Sequence, residues 1–219
     1  MSRTSRSKPK RTDPAWSSVL PKREEIHRLK RRAILQTAAE LINEAGFHGA
    51  SVDELARRLN ITKPTLYHYI PSKDDIALQL LDLNFSATSR ALEAAENHRG
   101  TGLDRLRHFA REYAELMATP EGAAAVQIAM LPHSRKVRTH RDKLFRQVDV
   151  SARSFIVEGI EDGSIRQCDA RWVDFLLFGG LHWMTRWFRS DRQQSAADVA
   201  GSLFDLIEFG IASRVDSTD

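Results

Sequence analysis

The chain has 219 residues, of which 42% are hydrophobic and 28% are charged, a composition that fits a globular protein and excludes a chain disordered throughout. Its single cysteine, Cys168, excludes an intramolecular disulfide, as is usual in a reducing compartment. The net charge of +4 is uneven, because residues 1–32 carry a net charge of +8 and the remainder a net charge of −4. A basic end on a mildly acidic body is typical of a protein that contacts a polyanion, although a solubilising tail has the same composition.

Residues 1–24 are predicted to form a disordered basic arm. They are rich in Ser, Pro, Lys and Arg, and they have no hydrophobic periodicity. No apolar segment follows these basic residues, so we expect no secretion signal. The most hydrophobic stretch, Trp172–Phe188, contains charged residues and is short for a membrane span. We therefore expect a cytoplasmic protein that does not bind a membrane.

The spacing of apolar residues from Ile26 onward is helical, and residues 25–72 are predicted to form a helix-turn-helix domain. A capping box at Ser51–Glu54 opens the second helix, and Thr62 caps the third, which Pro71 ends. Asn60 suits the tight turn between them, because Asn tolerates the left-handed backbone conformation. The predicted helices run from Glu24 to Ala45, with Gly46 as the C-terminal cap, from Ser51 to Leu59, and from Thr62 to Pro71.

The rest of the chain is also predicted to be helical, which gives an all-α protein of about nine helices. Ser72 caps a connecting helix within residues 73–99, and Gly100 and Gly102 mark a boundary. Residues 100–219 are predicted to form a larger C-terminal helical bundle for ligand binding and dimerisation. The predicted helices are Lys73–Asn97, Leu103–Ala118, Glu121–Leu131, Val137–Asp162, Ala170–Arg189 and Ala196–Ser213.

The third predicted helix carries side chains that are suited to contacting DNA. Its exposed positions hold hydrogen-bond donors or cations, whereas Leu66 and Ile70 face inward. A helix of this kind after a tight turn has the geometry that enters the major groove of DNA. Two short helices joined by a turn also occur in many helical proteins that do not bind DNA. The spacing alone leaves both interpretations open.

Three segments, Ala33–Leu41, Gly46–Ala56 and Ile61–Asp75, closely resemble the DNA-binding domain of the TetR family of regulators. Within the last segment, Thr-Leu-Tyr-His-Tyr followed by Ser-Lys-Asp resembles the recognition helix of that family and its exit. Asn60 and Pro64 depart from the family, in which glycine or another small residue is usual, and Pro64 is expected to shift the base preference. The resemblance implies a homodimeric repressor that binds an inverted repeat and is released by a ligand.

Carried over position by position, the resemblance implies DNA contacts in and beside the third helix. Tyr67 and Lys73 are expected on phosphates, and Lys63 and Thr65 nearest the base edges. Basic residues just before the domain are expected to reach phosphate or the minor groove. The implied contacts are Ser51, Thr62, Lys63, Thr65, Tyr67, His68 and Lys73, and the implied arm contacts are Lys30, Arg31 and Arg32.

The C-terminal part is predicted to supply a dimer interface and a ligand pocket. The helix over Trp172–Arg189 is apolar on nearly all sides, so we expect it to be buried on more than one face. With the last helix it would form a four-helix interface between two subunits, and one large monomeric core is the alternative. The segment Phe178–Arg189 is similar to the acyl-CoA-responsive subgroup of the TetR family, which implies a thioester of lipid or steroid catabolism in a pocket among helices five to eight. The candidate ligand-binding residues are His182, Trp183, Arg186 and Trp187.

Each of these ligand assignments has a simpler alternative. Arg186 would pair with an internal carboxylate, and the tryptophans would be ordinary core residues, which we favour for the tryptophans. The five basic residues from Arg135 to Lys143 suit the phosphates of coenzyme A, but a solvated start of a helix is the simpler interpretation. His133 and His140 lack the further ligands of a metal site, so we expect no metal.

The sequence contains no nucleophile elbow, phosphate loop, metal-ligand pair or carboxylate dyad, so we expect neither an enzyme nor a cofactor. Two further interpretations stay open: a TetR-type regulator of an efflux system that binds lipophilic drugs, and an architectural DNA binder without an effector. The Trp-rich C-terminal part argues against the second, because DNA packaging needs no pocket. The predicted partners are a double-stranded DNA operator, a second copy of the chain, and a small-molecule effector for which an acyl-CoA is the candidate.

Overall fold

Nine helices make up the regular structure of the computed structural model, which describes residues 23–131, 133–189 and 194–211. These ranges contain no strand, so the predicted all-α fold is confirmed. Residues 1–22 of the predicted basic arm lie outside the described residues, and its last two residues begin the first helix. The helices are α1 (Arg23–Gly49), α2 (Val52–Arg58), α3 (Lys63–Tyr69), α4 (Lys73–Glu96), α5 (Gly102–Met117), α6 (Pro120–Met130), α7 (Arg135–Glu161), α8 (Ala170–Trp187) and α9 (Ala196–Phe209).

Every helix from α2 to α9 begins at a side chain that caps it. At each start a side-chain oxygen accepts a hydrogen bond from a backbone N–H that the helix leaves unpaired. The capping box predicted at Ser51 forms only in part. The Ser51 hydroxyl accepts from the Glu54 N–H at 3.1 Å, but the Glu54 carboxylate pairs with Arg57 and Arg58. The capping residues are Ser51, Thr62, Ser72, Thr101, Thr119, Ser134, Asp169 and Ser195.

The backbone breaks that shape the helix-turn-helix lie where the sequence predicts them. Gly46 interrupts α1 with a φ of 73°, and Asn60 adopts a φ of 52° in the turn between α2 and α3. Ile70 is extended just before Pro71, since a residue that precedes proline avoids helical geometry. At the other end of the chain, α9 stops at Phe209, before Gly210 with a φ of 70°, and the predicted end at residue 213 lies outside the described residues.

The apolar core of the N-terminal helices continues into the C-terminal part. Leu66 of α3 belongs to the same buried cluster as Ile128 of α6. The side chain of Asn43 on α1 adds polar contacts, because its Nδ2 donates to the Pro120 carbonyl at 2.9 Å and its Oδ1 accepts from Gln127 Nε2 at 2.9 Å. A displacement of α6 must therefore move α1 or break this packing.

A second core joins the end of α4 to α5, α7, α8 and α9. Phe109, Phe155 and Phe204 are fully buried within it. At its edge, α5 crosses α7 so closely that a Cβ added to Gly102 would lie 2.2 Å from the Gly159 amide nitrogen. This crossing requires a residue without a side chain at position 102.

Replacing Gly102 with alanine is expected to destabilise the fold by about 2–3 kcal/mol, because the added methyl group overlaps backbone atoms that cannot rotate away. For a chain of this length the melting temperature should fall by roughly 5–10 °C in a thermal denaturation experiment. Gly201→Ala on α9 is the matched control, since its Cβ would meet only Arg111 Nη1, at 3.6 Å. Equal melting temperatures for Gly102→Ala and the wild type would contradict the close crossing.

Helix α8 buries only one face within the subunit. Asp174, Leu177, Leu181 and Met184 face the bundle, whereas large apolar side chains elsewhere on the helix are exposed. Within one subunit this helix is therefore buried on one face only, and the predicted burial of its other face against a second subunit stays a prediction. The exposed side chains of α8 are Trp172, Phe175, Leu176, Trp183 and Trp187. Neither α8 nor any other helix in the described part of the chain has an apolar stretch of the length that a membrane span requires.

Candidate nucleic-acid interface and ligand cavity

Helix α3 stands on a buried apolar base and displays polar side chains outward. Leu66 is 1% exposed and Ile70 is 2% exposed, so these two residues anchor the helix to the domain. The polar side chains on its outer surface, which we call the α3 polar face, each carry a hydrogen-bond donor or a cation. The α3 polar face consists of Lys63, Thr65, Tyr67 and His68, and all four residues are exposed.

Two predicted contact residues are also helix caps. The Ser51 hydroxyl accepts from the Glu54 N–H, and the Thr62 hydroxyl oxygen accepts from the Thr65 N–H at 3.4 Å and lies 2.8 Å from Thr65 Oγ1. A hydroxyl that accepts one hydrogen bond keeps its own proton to donate. Their structural role therefore leaves room for a contact with an anion.

Lys63 is held by an acidic neighbour on α2. Its Nζ lies 2.9 Å from Asp53 Oδ1, and the hydrogen bond to this carboxylate raises the pKa of Lys63. Both side chains are well exposed, so the ion pair adds little stability. Lys63 stays cationic, and a contact with a base edge must compete with Asp53.

Lys73 has a structural role that sequence reasoning missed. Its Nζ donates to the His48 carbonyl at 3.1 Å and lies 4.8 Å from the centre of the Phe47 ring. Burial lowers the pKa of Lys73. The lysine thus joins the start of α4 to the residues of α1 that follow the break at Gly46. A phosphate would be a further partner of this lysine. The Gly46 break was the only sequence signal for this arrangement.

The beginning of α1 lies beside α3. The ring of His27 is 4.8 Å from the Tyr69 ring and 6.2 Å from the His68 ring, and Lys30 Nζ lies 5.9 Å from the centre of the Tyr69 ring. Of the three predicted arm contacts, Lys30 is therefore next to α3. The other two differ, because Arg31 donates to Gln79 on α4, and Arg32 is exposed without a described contact.

A cavity of about 170 Å³ lies between α4, α5, α7 and α8. The sequence places a pocket among helices five to eight, but α4 forms one wall and α6 does not line this cavity. Most of the lining is apolar. It comprises Leu81, Asn84, Phe85, Thr88, Tyr113, Arg141, Leu144, Phe145, Val148, Asp149, Asp174, Phe178 and His182.

Tyr113 and His182 form a buried polar pair in the cavity wall. The Tyr113 Oη and the His182 Nε2 are 2.8 Å apart. Burial lowers the pKa of His182 to about 4, so the imidazole is neutral at pH 7, and burial raises the pKa of Tyr113. The pair therefore supplies hydrogen bonds to this wall without a formal charge.

Two carboxylates in the same wall share one guanidinium group. Arg153 Nη2 lies 2.7 Å from Asp149 Oδ1 and 3.5 Å from Asp174 Oδ2. Burial raises the pKa of Asp174 to about 6, and the adjacent Asp149 contributes to the shift. One arginine between two acids leaves this part of the wall rich in hydrogen-bond acceptors.

Only one of the four predicted ligand-binding residues lines the cavity. His182 does so, whereas Trp183 is 66% exposed and Trp187 is 41% exposed. Our favoured interpretation of the tryptophans as core residues is wrong for the isolated subunit. Arg186 is exposed as well, and within the described ranges it forms no ion pair with an internal carboxylate. With Trp183 it lines a second groove, between α6 and α8, which His182 also borders.

The basic residues from Arg135 to Lys143 at the start of α7 lie partly on the surface and partly at the cavity. Lys136 pairs with Asp75 at 3.1 Å, while Arg141 reaches the cavity wall. His140 Nε2 lies 2.6 Å from Asp82 Oδ1. Within the described residues, no group of three potential metal ligands comes together. An open groove beside the cavity is lined by Leu78, Asp82, Arg135, Lys136, Thr139, His140, Lys143 and Arg146.

Known proteins resemble most of the chain. Residues 34–80 match the family model described as bacterial regulatory proteins, tetR family, and residues 99–211 match that described as tetracyclin repressor-like, C-terminal domain. The fatty acid metabolism regulator protein of Bacillus subtilis (strain 168) is 23% identical over 190 residues, which cover 85% of this chain and 98% of that protein.

Solved structures share the arrangement of the helices. PfmR from Thermus thermophilus, a TetR family transcriptional regulator, is 29% identical, with a TM-score of 0.74 over 82% of this chain and 99% of that chain. AibR in complex with isovaleryl coenzyme A and operator DNA is 23% identical, with a TM-score of 0.71 over 81% of this chain and 97% of that chain. At this identity the second likeness concerns the fold alone.

Proposed function

The chain belongs to the TetR family of bacterial transcriptional regulators, and from this premise we propose that it is a homodimeric repressor that a small molecule releases from an inverted-repeat DNA operator. We propose an acyl-CoA thioester as that small molecule. The proposal has three parts, which concern the contact with DNA, the dimer and the effector, and each is supported by a different surface of the molecule.

The observation that carries the DNA-binding part is the exposed α3 polar face on its buried apolar base. The major groove of B-DNA is about 12 Å wide and admits one α-helix. Thr65, Tyr67 and His68 extend from the outer side of α3, and Lys30 lies beside it. Lys73 at the start of α4 adds a cation next to backbone N–H groups, a combination that favours a phosphate.

The dimer part is supported by the apolar surface of α8 and α9. Five large side chains of α8 and two of α9 are exposed in the subunit, although apolar residues of this size are normally buried. On α8 most of them follow helical spacing and form one stripe. We call this surface the α8–α9 apolar face, and a second copy of the same face would cover it. It comprises Trp172, Phe175, Leu176, Trp183, Trp187, Leu206 and Phe209.

The effector part is supported by the cavity and the groove beside it. A volume of about 170 Å³ is close to that of the engineered cavity, about 150 Å³, that holds benzene, so a short or branched acyl group fits. We call the open groove beside the cavity the basic groove, because its lining includes Arg135, Lys136, Lys143 and Arg146. It begins within one helical turn of the cavity, since Lys143 precedes Leu144 on α7. Phosphates of coenzyme A would find cations there. AibR, a structural relative, binds isovaleryl coenzyme A.

A regulator of drug efflux is the second candidate, because the mostly apolar lining of the cavity also suits a lipophilic drug. The two candidates differ in what must occupy the basic groove. A thioester places phosphates there, and binding should then weaken as the salt concentration rises, whereas binding of a neutral drug should not.

A gel shift with DNA from around the gene of this protein tests the proposed function. We expect sequence-specific retention of one inverted repeat, and release when a short-chain acyl-CoA is added. A neutral lipophilic dye serves as the comparison ligand. Retention without any sequence preference would reject the repressor, and release by the dye alone would replace the thioester with a lipophilic drug.

A further inference from the structure

Two buried acceptor oxygens in the cavity wall lack a hydrogen-bond donor. They are Asn84 Oδ1 on α4 and Asp174 Oδ1 on α8, and neither has a partner among the described residues. Asp174 is only 3% exposed. Buried acceptors without a donor are rare, because removal from water is costly unless a hydrogen bond replaces the lost water. A donor must therefore come from whatever fills the cavity.

The neighbouring arginine does not supply this donor. Arg153 gives its short contact to Asp149, and it reaches only the other oxygen of Asp174, at 3.5 Å. Its own Nε is also buried and has no acceptor in the described structure. This part of the molecule thus holds both unpaired acceptors and an unpaired donor.

We propose that the effector carries a hydroxyl on the part that enters the cavity, and that Asp174 and Asn84 accept hydrogen bonds from this hydroxyl or from a water that it holds. The thioester class of this effector rests on the proposed function, but the hydroxyl follows from the cavity wall alone. A plain hydrocarbon chain would displace water from both acceptors without replacing its hydrogen bonds, which lowers affinity.

A hydroxyl fits this wall better than an ammonium group does. A hydroxyl donates one hydrogen bond and accepts others, whereas an ammonium group only donates. An unpaired donor, Arg153 Nε, belongs to the residue that contacts both Asp149 and Asp174 of this wall.

Calorimetric titration of the full chain tests the proposal with four probes: hexanoyl-CoA, 3-hydroxyhexanoyl-CoA, 6-hydroxyhexanoyl-CoA and 6-aminohexanoyl-CoA. We expect the better of the two hydroxylated probes to bind at least about tenfold more tightly than hexanoyl-CoA, because the plain chain leaves the acceptors unpaired. Equal or tighter binding of hexanoyl-CoA overturns the proposal. Tightest binding of the amino probe overturns it in favour of a cationic effector.

Variants assign the preference to the two acceptors. Asn84→Leu and Asp174→Leu should each reduce the preference for the hydroxylated probe, and Asp174→Ala, which also removes the acceptor, is the smaller replacement if the leucine variant does not fold. Val148→Ala is the matched control, since it alters an apolar part of the same wall and should keep the preference. An unchanged preference in the variants of both acceptors rejects their role.

A set of probes without coenzyme A separates this inference from the proposed function. Thermal shifts with cyclohexanol and methylcyclohexane measure the choice between a hydroxyl and a methyl group on a ring of suitable size. If no thioester binds but cyclohexanol stabilises the wild type more than methylcyclohexane does, the proposed thioester class is rejected and the proposed hydroxyl is supported. If both rings shift the melting temperature equally, and thioesters with and without a hydroxyl bind with equal affinity, the inference is overturned and the proposed function is unaffected.

Discussion

Aspartate at both Leu176 and Leu206 is expected to convert the proposed dimer to a monomer and to abolish stable binding to the proposed operator. Leu176 of α8 is 65% exposed and Leu206 of α9 is 54% exposed within the subunit. Burial of one leucine contributes about 1.5–3 kcal/mol, and a two-fold interface contains both leucines twice. The loss is thus about 6 kcal/mol or more, which raises the dissociation constant of the dimer by over about 10⁴-fold.

Sedimentation velocity measures the mass of this double variant, and circular dichroism checks that its helices remain. Leu83→Asp is the matched control, because Leu83 is a 46% exposed leucine on α4, outside the α8–α9 apolar face. The control should stay dimeric and keep its affinity for DNA. A double variant with the mass of a dimer would show that the subunits associate through another surface. Loss of dimerisation without loss of DNA binding would reject the inverted-repeat operator.

Alanine at Tyr67 and at Lys73 is expected to weaken binding to the operator by at least about tenfold for each change, nearly uniformly across DNA sequences. The reason is that contacts to phosphate hold the protein on DNA but carry no sequence information. Loss of Lys73 should also lower the salt dependence, by about 0.9 in the logarithmic slope for each phosphate contact, or about two for a dimer. Lys63→Ala should instead relax the preference for a base.

Fluorescence anisotropy at several salt concentrations measures these effects. Because Lys73 also contacts the His48 carbonyl and the Phe47 ring, the melting temperature of Lys73→Ala must be recorded beside its affinity. Arg90→Ala is the control for charge, since Arg90 is exposed and lies about 25 Å along α4 from Lys73. A salt slope in Lys73→Ala equal to that of Arg90→Ala would remove Lys73 from the phosphate contacts.

The features predicted best from the sequence depend on residues that are close together in the chain. Thr62 caps α3 through the backbone of Thr65, and Asn60 takes the left-handed conformation in the turn before it. Pro71 ends α3 because it forces Ile70, the residue before it, out of helical geometry. Such effects need only a few consecutive residues, so the helices and the turn could be predicted nearly in full. The incomplete capping box at Ser51 shows the limit, because Arg57 and Arg58, which are equally close in the chain, compete for the Glu54 carboxylate.

The contact residues for DNA stay predictions, though the structure describes their surroundings. The sequence pattern alone indicated which side chains α3 displays, because Leu66 and Ile70 must face the core. It did not reveal that Asp53 pairs with Lys63 or that Lys73 contacts the end of α1. Both contacts join residues at least ten positions apart in the chain, and no local rule predicts them.

By itself, the sequence determined the all-α fold and the positions of the helix-turn-helix, because capping, turn geometry and apolar spacing act locally. The family followed from the resemblance of three segments within residues 33–75. The tertiary structure alone decided which face of each helix is covered. It exposed Trp183 and Trp187 on α8, placed α4 instead of α6 in the wall of the cavity, and brought Asn84 and Asp174 into that wall. An apolar stripe shows that a helix face avoids water, but only packing against other helices decides whether its own subunit, a second subunit or a ligand covers it.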